Sequence, residues 1–164
     1  YGRGMAWDSR GCCCSSRLSM KNVHPLKRKS IKPSSSTVRG MLPSNQFKVL
    51  DASMQSLRAA GLRFEWVWNG KDTGWVSTGY YEERVLCEIV ASVEPMYAKI
   101  SLNSAEVNLL TEAETFPPSY KKILEYPIHT KEEIQTYEFG IESTPERDLL
   151  SNIVECIQKV FDDY

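Results

Sequence analysis

The residues best equipped for chemistry crowd into one stretch: Phe64, Trp66, Trp68, Trp75, Tyr80 and Tyr81 stand within eighteen positions, with Glu65 and Glu88 nearby. Trp66 and Trp68 are two residues apart and so share one strand face, with Trp75 across a turn. Such a trio either lines a groove for a flat ligand or a peptide, or forms the core beneath covering helices. Glu65 and Glu88 project from strand interiors. A carboxylate in an aromatic concavity has a raised pKa and can exchange protons near neutrality, whereas on a half-solvated face it does nothing of the kind. The candidate ligand-binding residues are therefore Trp66, Trp68, Trp75, Tyr80 and Glu88. No residue pattern specifies a catalytic group, a cofactor or a metal.

Other chemistries lack their spacing. Gly70-Lys71-Asp72-Thr73-Gly74 has the residue types of a phosphate loop without its spacing or its strand-then-helix context, and serves equally as a hairpin connection. Of the two histidines, His24 lies in the basic leader and His129 in a polar link from Pro127 to Lys131, with nothing beside either to complete a nucleophilic triad. Cys87 and Cys156 sit within apolar patterns as small core residues. Cys12, Cys13 and Cys14 are adjacent, without the two- to four-residue gap of a zinc site. Glu82-Glu83, Glu132-Glu133 and Asp162-Asp163 fall in turns or ends, where neighbouring side chains diverge.

The elements that would position these residues follow from periodicity. Leu62, Phe64, Trp66 and Trp68 alternate with polar residues up to Asn69-Gly70. Gly74 to Tyr81 follows as a second strand. Val85, Cys87, Ile89, Ala91 and Val93 mark one face of a third, with Leu86, Glu88, Val90 and Ser92 on the other. After Pro95, Met96, Ala98, Ile100 and Leu102 mark a fourth. Short connections make 62–102 an antiparallel meander, joined by a fifth strand near 135–142. Phe47, Leu50, Met54 and Leu57 draw the stripe of a helix capped by Ser44 or Asn45 and ended by Gly61. Ser104–Thr115 and Tyr120–Tyr126 are short helical segments. Thr144-Pro145-Glu146 starts a last helix, with Thr144 as its capping hydroxyl and Leu149, Ile153, Ile157 and Val160 inward. The expected fold is α+β: an antiparallel sheet of about five strands, with the N- and C-terminal helices packed on one face.

Charge divides the 164 residues in two. Residues 1–42 carry nine Lys/Arg against Asp8 alone, while 43–164 carry eleven against twenty Asp/Glu, although the whole sums to −1. A single folded domain is expected over 43–164, acidic enough that it has no reason to bind nucleic acid. Residues 1–42 have no sustained apolar period and read as a basic, disordered tail. The tail resembles in composition an organelle transit peptide, a palmitoylated anchor at Cys12–Cys14, or a nuclear import patch at Lys27–Lys32. It is equally well read as extraneous upstream sequence, with Met20 or Met41 nearer the native start. No apolar run reaches the ~20 residues of a membrane span, and five unpatterned cysteines fit a reducing compartment, so a cytoplasmic location is expected.

Glu65-Trp66, Gly70-Lys71, Gly74-Trp75 and Arg84-Val85-Leu86-Cys87 together make an aromatic strand, a Gly-Lys-x-x-Gly-Trp hairpin and a strand of Arg-Val-Leu-Cys type. With Pro117-Pro118 and the segment Phe139–Phe161, this resembles the bacterial and archaeal family DUF3788 over about residues 46–161. The sequence departs from the family pattern at Pro95, where the family has a glycine-rich turn. The resemblance implies an α+β fold and transfers no site residues, because that family has no assigned reaction or ligand.

Function is therefore expected to be that of a non-enzymatic binding or accessory module for a small molecule or a protein, using the aromatic hairpin or the sheet's open face. One alternative is a small enzyme with Glu88 in an aromatic pocket. Another is an oligomerising structural protein, such as a homodimer through an exposed edge strand. The first two differ in whether Glu88 and Trp75 line one concavity.

Overall fold

The computed structural model describes residues 23–114 and 116–162, with side chains described as far as 159. Readings that fall on Cys12, Cys13 and Cys14 lie outside the described residues. Two single 3-10 turns, Pro25–Lys27 and Val38–Met41, precede helix α1 (Ser44–Ala59). Strands β1 (Arg63–Trp68), β2 (Trp75–Tyr81), β3 (Arg84–Val90) and β4 (Tyr97–Asn103) follow. After them come α2 (Ser104–Glu112), α3 (Pro118–Ile123), β5 (His129–Lys131), β6 (Ile134–Gly140) and α4 (Thr144–Asp162). The sheet runs β1-β2-β3-β4-β6-β5, antiparallel throughout. The meander and the α+β class are as the alternation dictates. The strand beyond the expected five is β5, three exposed residues too short to show a period.

Register fixes which side chains share a face. Trp66, Ser77, Ile89, Ala98 and Phe139 form one row across the sheet, and Phe64, Gly79, Cys87, Ile100 and Tyr137 the next. These rows meet α1 through Leu50, Met54 and Leu57, and α4 through Leu150, Ile153, Val154 and Ile157, all in one core. The Ser77 hydroxyl donates to Met54 Sδ at 3.5 Å. The opposite face carries the row Glu65, Thr78, Glu88, Lys99 and Glu138, and Val76, Thr78 and Val90 on it are buried as well. Between β2 and β3 the register slips after Gly79, so that Cys87 faces Gly79 while Val85 faces Tyr80. The extra residue, Leu86, makes a bulge that breaks the strict alternation expected for β3. Leu86 turns inward, 1% exposed, and Val85 outward, 41% exposed.

Helix ends are set by local chemistry, not always at the expected residue. α1 starts behind Pro43 with no side-chain cap, so neither Ser44 nor Asn45 caps it. Its end is the expected one: Gly61 has φ +105° and Leu62 N–H reaches back to Leu57 O, the pattern of a left-handed stop. In α4 the cap is Ser143 and not Thr144, with Ser143 Oγ accepting from Glu146 N–H and the Glu146 carboxylate accepting from Ser143 N–H. Asn103 and Glu106 make the same reciprocal box at α2. Glu106, almost fully buried, also receives a two-pronged ion pair from the Arg84 guanidinium.

The boundary expected at residue 42 moves. Residues 23–42 form a strap bound to the sheet: Leu26 is wholly buried, and Val38 and Leu42 join the same core. The Trp75 indole N–H donates to Arg28 O at 2.9 Å. Gly74, at φ +69°, lets the backbones touch, since a Cβ there would stand 2.1 Å from Leu26 O. The folded unit therefore begins N-terminal to residue 43. Single apolar residues set among lysines and prolines, rather than a periodic stripe, hold the strap down.

Candidate functional site

β1 is an edge strand, and the face it turns toward α1 is aromatic. Between them lies a pocket of about 150 Å³ lined by Phe47, Leu50, Asp51, Met54 and Arg58 of α1, by Phe64 and Trp66 of β1, and by Ser35 and Val38 of the strap. Helical period explains the α1 contribution: Phe47, Asp51, Met54 and Arg58 step by four, three and four residues down one face. Strand period explains the other wall, since Phe64 and Trp66 are two apart. Gly79 on β2 leaves room behind them, since a Cβ there would lie 3.0 Å from the Phe64 ring and press on it.

The pocket joins an apolar floor to a charged mouth. Arg58 stacks over the Phe64 ring at 5.7 Å, and Arg39 over the Phe47 ring at 5.0 Å. Asp51 accepts from Gln55 Nε2 at 2.9 Å. Aromatic walls with one carboxylate and flanking guanidinium groups can hold a flat or apolar group and fix its polar end.

The structure splits the five residues singled out from the sequence. Trp66 lines the pocket. Trp68 is half-buried and meets Trp75 edge-on, centroids 5.6 Å apart at 67°. Trp75 is 9% exposed and bonded to Arg28 O, which makes it a core residue under the strap. Tyr80 and Glu88 lie on the opposite face of the sheet, Tyr80 stacked with Arg63 at 4.8 Å and Glu88 between Thr78 and Lys99 in the register. Glu88 and Trp75 thus line no common concavity, because strand alternation sends them to opposite sides. Ser35, Val38, Phe47, Asp51 and Arg58 line the pocket as well, with no motif in the sequence to mark them as site residues. The row 47/51/54/58 was readable as a helix face, but its partner across the gap was not.

Other reactive groups are held inert or placed apart. Burial pushes the Cys87 thiol up to about 12, with the Glu88 charge adding to the shift. Cys156 is raised by burial and by Glu155, against a lowering from Lys159. His24 is lowered by burial and by Lys27, against a raising by Glu94, and its Nδ1 accepts from Leu26 N–H at 3.0 Å. His129 is exposed on β5. Among the described residues no three His, Cys, Asp or Glu side chains gather as a metal site, and no helix is long and apolar enough to cross a membrane. Two wider hollows beside α4 share Glu155 and Lys159 and have no aromatic wall.

No family model, curated protein or solved structure matches this chain.

Proposed function

We propose that the chain is a non-enzymatic binding module whose site is the aromatic pocket between α1, β1 and the strap. The observation that carries this reading is the convergence of Phe47, Phe64 and Trp66 on one pocket with Arg58 and Asp51 at its mouth. A pocket of this kind recognises one apolar or aromatic group and orients it by the polar pair. The enzyme alternative draws no support from Glu88, which lies on the face of the sheet opposite this pocket. Kinship with DUF3788 stays part of the proposal and assigns no residue.

The test is a titration with single-ring compounds (p-cresol, benzoate, benzamidine), read by tryptophan emission and by thermal melting. A compound that shifts both, and loses both effects in Ser35→Phe, supports the site. Ser35 is exposed, so the added ring is expected to fill the pocket without burdening the core. The proposal fails if no ring binds, or if binding is indifferent to Ser35→Phe.

A further inference from the structure

The pocket's size bears on what fills it. At about 150 Å³ it has the volume of a cavity that takes a single benzene-sized ring, and about half or less of the roughly 300–1,000 Å³ of clefts that enclose whole ligands. A group of that size is a side chain.

The strand beside the pocket can present one. Asn69 N–H bonds to Gly74 O at 2.8 Å, so the backbone groups of Asn69 face β2. Alternation then turns those of Val67, Glu65 and Arg63 toward β2, and those of Phe64, Trp66 and Trp68 toward the free side of the sheet. No backbone hydrogen bond reaches β1 from that side among the described residues; the strap's backbone bonds are all its own. The residues with unsatisfied edge groups are thus the ones whose side chains face α1. A chain paired with them would place every second side chain about 5 Å from Phe64 or Trp66, at the lip of the pocket.

Charge narrows the partner further. Residues 43–164 are acidic overall, yet the strap carries Lys27, Arg28, Lys29, Lys32 and Arg39 with no acid. Arg39 and Arg58 at the pocket have no carboxylate partner among the described residues. Lys48 adds a further positive charge on α1. Asp51 opposes them, and Glu65 is occupied by Arg63 on the other face.

Resting on the binding-module reading above, we infer that the partner is an extended acidic peptide segment that adds as a strand to the free edge of β1 and seats one aromatic or aliphatic side chain in the pocket. Backbone bonds to Phe64, Trp66 and Trp68 supply affinity, the pocket selects the anchor residue, and Arg39 and Arg58 select the acidic flanks.

The experiment is panning of random nine-residue peptides on the full chain, followed by amide hydrogen exchange of the chain with a synthetic copy of the enriched sequence. The expected result is enrichment of an apolar residue among acids at alternate positions, with slowed exchange at Phe64, Trp66 and Trp68. Arg58→Glu is expected to weaken that peptide at least ~10-fold through like-charge juxtaposition, and Ser35→Phe to abolish its binding. If single-ring compounds bind but no peptide is enriched, or a peptide binds while those three amides keep exchanging, strand addition is wrong and the pocket stands. If neither rings nor peptides bind, both readings fall. Equal binding of heparin or single-stranded DNA, unaffected by Ser35→Phe, would assign the basic strap to polyanions and overturn the inference.

Discussion

Replacing Leu26 by Ala tests whether residues 23–42 belong to the fold. Leu26 is wholly buried, in contact with the core beneath Trp75, while Ile31 five residues on is 46% exposed. Truncating a fully buried leucine removes its transfer free energy and leaves a cavity, together ~3–5 kcal/mol where the surroundings cannot collapse. The strap is held at few points and can settle into the gap, so the low end, about 3 kcal/mol, is expected. For a chain of this size that lowers Tm by roughly 6–12 °C, at about 2–4 °C per kcal/mol. If the strap lifts off before the rest unfolds, the loss of global stability stops at the strap's own docking free energy, and the Trp75 indole N–H loses its protection first. Melting curves and the exchange rate of the Trp75 indole separate these two routes. Ile31→Ala is the control, expected within ~0.5 kcal/mol of the parent. The strap's place in the core would be refuted if Leu26→Ala matched Ile31→Ala in Tm and left the Trp75 indole as protected as before.

Three further outcomes follow from particular contacts. Arg84→Met strips the ion pair from the buried Glu106 carboxylate and is expected to cost about 2–3 kcal/mol in urea unfolding, since Arg84 itself is partly solvated; the double variant with Glu106→Gln should recover part of it, and an unchanged urea midpoint for Arg84→Met would discredit the pairing. His24 has a lowered pKa because burial and Lys27 disfavour its charged form, so its contribution is present above the unfolded value near 6.5 and is lost as pH falls through the lower folded value. Protection of the Leu26 and Lys27 amides, relative to their intrinsic exchange at each pH, should fall below that point in the parent, while in His24→Asn, which keeps a cap acceptor but does not titrate there, it should stay flat; equal pH dependence of protection in both would remove His24 as the cause. Cys87, with its pKa raised to about 12, should resist iodoacetamide at pH 8 in the folded chain and react after unfolding in urea. Fast native labelling would contradict its burial.

Much of this architecture is legible where the period is long enough to be seen. The alternation 62/64/66/68 and 96/98/100/102 identifies β1 and the approach to β4, and the stripe 47/50/54/57 identifies α1. The same rule of two already separates Tyr80 from Trp75 within β2, so the site set of Trp66, Trp68, Trp75, Tyr80 and Glu88 is mixed on alternation alone, while the face taken by Glu88 relative to the tryptophans depends on the cross-strand register. Three features leave no periodic trace. The Leu86 bulge changes the phase of β3 by one residue, which only the pairing with Gly79 and Tyr80 reveals. β5 is too short to alternate. The strap is anchored by Leu26 and Val38, twelve positions apart in a basic, Ser-rich run whose composition signals disorder; their burial depends on long-range contacts such as that between Leu26 and Gly74. The pocket shares that origin, since its walls come from three segments separated in sequence.

The most direct test of the pocket is a two-dimensional amide and indole NMR spectrum of the full chain titrated with p-cresol, a free analogue of a tyrosine side chain. Binding in the pocket predicts saturable shifts of the Trp66 indole and of the Phe47, Asp51 and Phe64 amides, with Trp75 unmoved and every shift lost in Ser35→Phe. Shifts confined to Trp75, Tyr80 or the hollows beside α4, or no saturable shift at all, would contradict it.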